Sequence, residues 1–92
     1  MTDTTLHITN KAPDHPRFRY CLSAFKEGDA LILMEDAVLA LTDQEQALPS
    51  TSYALSADAQ ARAVANRAPR QQLIDYNDFV QLTATYSRII NW

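Results

Sequence analysis

Polar and apolar positions alternate near the start of the chain. In Thr4 to Thr9, Leu6 and Ile8 flank His7 and the run is β-branched, which predicts a strand. After the turn-rich stretch Asn10 to Pro13 the period changes. Phe18, Cys21, Leu22 and Phe25 fall at i, i+3, i+4 and i+7, the apolar face of a helix over about 16–26. Pro16 suits its first turn, and Gly28 ends it. Asp29 then opens a continuous apolar run, Ala30 to Met34, as expected of a strand covered on both faces.

The second half repeats the alternation in shorter pieces. Ala37 to Leu41 reads as a short helix capped by Asp36, with a strand as the alternative. Thr42 to Ser52 is polar, holds Pro49 and predicts a loop. Tyr53 to Leu55 predicts a strand, and Ser56 a cap for an alanine-rich helix over about 57–65, broken at Asn66 to Pro69. Gln72 to Ile74 predicts a last strand. Asn77 then caps a helix whose face carries Phe79, Leu82, Thr83 and Tyr86, and Ser87 to Trp92 reads as an irregular tail. The order βαβαβαβα predicts an α/β fold in a single domain, a small parallel sheet with helices on both faces joined by right-handed crossovers.

Composition narrows the function. A chain of 92 residues makes one thin domain, with surface that a partner subunit would help to cover. One glycine excludes a glycine-rich phosphate loop. The net charge of −3, with Arg62, Arg67 and Arg70 as the basic cluster, argues against direct nucleic-acid binding. A lone cysteine excludes an internal disulfide and a multi-cysteine metal site. With no signal-like start and no apolar run near membrane-spanning length, the expected location is the cytoplasm. No cofactor is expected.

In an open parallel sheet, ligands sit beyond the carboxyl ends of the strands. Asn10-Lys11, Glu35-Asp36, Ser56 and Asp75-Tyr76 are expected at that rim. Cys21 is the candidate catalytic residue, because a thiolate can accept sulfur as a persulfide, and Arg17 and Arg19 precede it closely. Its place in the Phe18/Leu22/Phe25 stripe equally suits a packed core thiol. His7 has no local nucleophile and reads as structural or as an interface residue, while His15 caps the first helix or is solvated. Glu35 and Asp36 would diverge on a strand, so capping outweighs acid–base chemistry, and Asp75 and Asp78 suit a helix dipole. Trp92, after Ile89-Ile90, either folds back on the domain or docks on a partner.

Four blocks in order give a family resemblance. Leu6-His7 with Asn10-Lys11 and Pro13, Glu27-Gly28-Asp29 through Leu33 to Glu35-Asp36, Tyr53-Ala54-Leu55 with Asp58 and Ala61-Arg62, and Ile74 to Thr83 resemble segments of TusB/DsrH proteins, whose closing tryptophan is similar to Trp92. The resemblance implies a DsrE/DsrF/DsrH-like fold of the flavodoxin-like three-layer kind. It implies a sulfur-relay complex with siblings of TusC/DsrF and TusD/DsrE type, as a dimer of heterotrimers served by small sulfur-carrier proteins. In the Tus version persulfide sulfur passes toward 2-thiolation of the tRNA wobble uridine; in the Dsr version the complex serves dissimilatory sulfur oxidation. The resemblance implies that the main sulfur-carrying cysteine of such a complex belongs to the TusD/DsrE sibling and that the chain here is a scaffold or secondary carrier rather than a stand-alone enzyme; the residues alone leave open a stand-alone small α/β binding module without a sulfur role. Cys21 matches a cysteine of DsrH-type members, where some TusB members hold an apolar residue. Ala37, Asn66 and Arg67 depart from the family pattern.

Overall fold

A computed structural model of the chain describes residues 4–42, 48–68 and 72–92. The loop expected over Thr42 to Ser52 falls partly on residues 43–47, and Pro69 and Arg70 also lie outside the described residues.

Five parallel strands form one sheet in the order β4-β3-β2-β1-β5. They are β1 (Thr5–Thr9), β2 (Ala30–Leu33), β3 (Ser52–Leu55), β4 (Leu73–Ile74) and β5 (Arg88–Asn91). Three α-helices accompany them: α1 (Pro16–Ala24), α2 (Ser56–Ala61) and α3 (Tyr76–Thr85). A 3-10 segment, Glu35–Thr42, connects β2 to β3.

The chain steps across the sheet from β1 to β4 with its connections on one face, then returns past all four strands to pair β5 with β1. On the first face Phe18 and Cys21 of α1, Ala37, Val38 and Ala40 of the 3-10 segment and Ala59 of α2 pack on Leu31, Leu33 and Ala54. On the second, Phe79 and Leu82 of α3 pack beside Leu6, Ile8, Ala30, Ile32, Leu55 and Ile74. A reversal of direction with a change of face is what right-handed crossovers require. The expected α/β class with helices on both faces is therefore observed. The two faces are unequal, since α3 alone covers the second and none of its residues is fully buried.

The tail corrects the sequence expectation. Arg88 to Asn91 is a strand, not an irregular end, in register with β1 through Leu6↔Ile89 and His7↔Ile90. Its signal was two isoleucines between polar residues, too short to show a period of two.

Three caps also differ from expectation. Asp75, not Asn77, caps α3: its Oδ1 accepts the Asp78 N–H at 2.8 Å and the Asp78 carboxylate accepts the Asp75 N–H, a reciprocal capping box. Ser56 is the first residue of α2 rather than its cap, and its hydroxyl accepts from Gln60. Asp36 lies inside the 3-10 segment and binds Arg62 at 3.1 Å instead of capping backbone amides. Helix α2 stops at Ala61, short of the expected residue 65, because Ala63 turns left-handed (φ +57°) and sends Val64 into the core.

Gly28 was expected to end α1, but α1 stops at Ala24 with Phe25 as its C-cap, and Gly28 serves a separate turn before β2. Asp29 N–H donates to Lys26 O at 3.0 Å, and the third position of this turn carries φ +92°. Glycine is needed there for that angle and for space, since a Cβ would meet Thr4 Cγ2 at 3.0 Å.

Candidate functional site

The sheet brings together three polar residues distant in sequence. On β1, Leu6 and Ile8 face α3, so Thr5, His7 and Thr9 face α1. A row of polar side chains on a central strand must find partners once buried. Thr5 Oγ1 accepts from the Arg88 guanidinium, and Thr9 Oγ1 accepts the Lys11 N–H. His7, 1% exposed, is held between two partners. Its Nδ1 accepts the Trp92 indole N–H at 3.0 Å, and its Nε2 lies 2.9 Å from Asp29 Oδ2.

Those partners assign the neutral tautomer. The Trp92 indole nitrogen only donates, so Nδ1 holds the lone pair and Nε2 carries the proton toward Asp29. Asp29 closes the network. Its Oδ1 accepts the Thr5 N–H at 2.9 Å and its Oδ2 accepts the Lys26 N–H at 3.0 Å. Burial pushes the Asp29 carboxyl upward, but the hydrogen bonds it accepts from Thr5, His7 and Lys26 hold it below its ordinary value. Among the described residues, no buried side-chain nitrogen or oxygen lacks a partner.

Trp92 folds back, one of the two expected outcomes. Its N–H donates to Ile8 O at 2.8 Å, and its ring lies 6.0 Å from that of His7 at 23°. The structure thus joins His7 and Trp92, named separately as interface candidates. Sequence reasoning did not single out Asp29, although it stands in the Glu27-Gly28-Asp29 block and precedes a fully apolar strand. A carboxylate at that position is the signal that something in the core must be satisfied.

Cys21 lies elsewhere in the network of contacts. It is 0% exposed, on the face of α1 that packs into the sheet. Burial pushes its thiol up to about 12, so the sulfur is protonated at neutral pH. Arg17 and Arg19 do not offset this: Arg19 binds Asp14 O, and Arg17 faces the rim.

At the carboxyl ends of β1, β2 and β5 a cavity of about 380 Å³ is lined by Ile8, Asn10, Lys11, Arg17, Met34, Glu35, Asn91 and Trp92. Of the expected rim positions it gathers Asn10, Lys11 and Glu35, and leaves out Asp36, Ser56, Asp75 and Tyr76. Asn10 bridges the other two: Lys11 Nζ donates to its Oδ1 at 2.9 Å and its Nδ2 donates to Glu35 Oε2 at 3.2 Å. Glu35 takes a left-handed backbone (φ +49°), and its N–H donates to Asp58 Oδ2 at 2.7 Å. His15 caps α1 beside the cavity, its Nδ1 accepting the Arg17 N–H at 3.0 Å.

No helix among the described residues is long and apolar enough to cross a membrane. Among the same residues, no three histidine, cysteine or acidic side chains are grouped to hold a metal ion.

Comparison with known proteins gives the family. The family model described as DsrH like protein matches residues 11–89. The chain is 35% identical over 94 aligned positions to Protein TusB of Escherichia coli O1:K1, covering 95% of this chain and 99% of that protein. It is 33% identical, with the same coverage, to Protein TusB of Pectobacterium parmentieri. With the match spanning most of the sheet and its helices, the chain belongs to the DsrH-like family.

Proposed function

We propose that the chain is a scaffold subunit of a TusBCD-like sulfur relay in the cytoplasm. The complex passes persulfide sulfur toward 2-thiolation of the tRNA wobble uridine, with siblings of TusC/DsrF and TusD/DsrE type holding the reactive chemistry. The similarity to TusB proteins over nearly their full length supports the relay. The burial of Cys21 is the observation that favours scaffold over carrier. A thiol raised to about 12 and shut in the core offers an upstream donor neither a nucleophile nor a path.

The surface supports a role in assembly. Ile89 is 41% and Ile90 38% exposed on edge strand β5, and Tyr76 and Val80 of α3 are exposed on the thinly covered face. Edge strands and apolar patches of this kind are covered when partners dock.

The test is co-expression with the two siblings in a strain lacking the native subunit, reading complex formation and 2-thiouridine in bulk tRNA. The expected result is that Cys21→Ala assembles and restores thiolation as well as the unaltered chain does. Assembly with loss of thiolation would assign sulfur carriage to Cys21, the role expected in a DsrH-type oxidation complex.

A further inference from the structure

The chain carries a net charge of −3, yet the rim cavity gathers two cations from separate elements. Lys11 comes from the segment after β1 and Arg17 from the first turn of α1. Among the described residues, the Arg62–Asp36 ion pair and the His7–Asp29 hydrogen bond use neither. The one acidic side chain lining the cavity, Glu35, is turned to the Asn10 amide. Asn91 adds a second amide, and Ile8, Met34 and Trp92 form an apolar wall.

We propose that this cavity binds the oxyanion of a small ligand, such as a phosphate or sulfate group, through Lys11 and Arg17. The inference does not depend on the relay function. Parallel sheets place ligands at this rim, and a cavity of about 380 Å³ has the size of a small-molecule site. Lys11 is pre-positioned, since its N–H is held by Thr9 Oγ1 and its ammonium by Asn10. The guanidinium of Arg17 presents a planar fork suited to two oxyanion oxygens. The backbone at Glu35, left-handed and pinned by Asp58, is the kind of local strain that accompanies binding sites.

Trp92 is the only tryptophan and lines the cavity, so its fluorescence reports occupancy directly. The purified chain is titrated with inorganic phosphate, sulfate and adenosine monophosphate at constant ionic strength, with chloride as control. Saturable changes are expected with the oxyanions and not with chloride. Lys11→Gln and Arg17→Gln should each weaken binding about fivefold or more, while Glu35→Gln should tighten it about two- to fivefold, because like charge is removed. Adenosine monophosphate binding more tightly than phosphate would place the ligand's body on the apolar wall, and equal affinities would favour the free ion; both support the oxyanion contact. A non-saturable response, an equal response to chloride, or undiminished binding by the folded Lys11→Gln/Arg17→Gln double variant overturns the proposal.

Discussion

The indole N–H of Trp92 donates to Nδ1 of His7 across 85 positions of sequence, at 3.0 Å. This bond, with the pairing of β5 to β1, ties the last residue to the centre of the sheet. It leaves the His7 proton on Nε2, where Asp29 accepts it. Nitrogen NMR of the imidazole should find an unprotonated Nδ1 and a protonated Nε2 at neutral pH. Trp92→Phe keeps a ring in place but strands the Nδ1 lone pair in a buried site. It should lower stability by about 1–3 kcal/mol in urea unfolding.

Asp29 gives the network a pH dependence. Its carboxyl is held below the ordinary value in the fold, so the unfolded chain takes up the proton first as pH falls. The stabilisation is complete above the unfolded carboxyl value, near pH 4, and is lost as pH drops through the lowered folded value. Asp29→Asn should flatten stability against pH in that acid window. At neutral pH it should cost about 2–4 kcal/mol, because the charged acceptor of three hydrogen bonds is lost.

Gly28 tests the turn that positions Asp29. Gly28→Ala meets both an unfavourable φ of +92° and the Thr4 methyl, so thermal and urea unfolding should report a loss of about 1–2 kcal/mol.

The central elements were legible in the sequence because each carries a strong pattern. The fully apolar Ala30 to Leu33 could only be an inner strand, and the i, i+3, i+4, i+7 stripe fixed the face of α1. What was hidden depends on tertiary pairing. Arg88 to Asn91 has no periodicity of its own and becomes a strand by lying in register with β1. The partners of His7 were equally invisible, since Asp29 stands 22 positions away and Trp92 85. At α3, both Asp75 and Asn77 are good capping residues, and only Asp75 has Asp78 three positions later to complete the box. At the rim, strand ends predicted Asn10, Lys11 and Glu35, but Arg17 and Asn91 required knowing how α1 and β5 approach β1.

The strand character of the tail leads to a truncation test. Removing residues 89–92 deletes most of β5, the indole that satisfies His7 and the shield over the β1 edge. The shortened chain should unfold at lower urea concentration and associate more readily, as an exposed β1 edge pairs with neighbours. Unchanged unfolding together with unchanged sedimentation would show that β5 contributes little.

Burial of Cys21 predicts slow chemistry. At neutral pH the native thiol should react with a disulfide reagent at least about 100-fold more slowly than the same thiol in denaturant, since both access and thiolate fraction are low.

The most direct measurement is mass spectrometry of the chain assembled with its siblings and supplied with isotopically labelled persulfide sulfur by an upstream donor. A scaffold with Cys21 in its core predicts labelled sulfur on a sibling cysteine and none on Cys21. Turnover-competent label on Cys21, at a level comparable to the sibling, would contradict it.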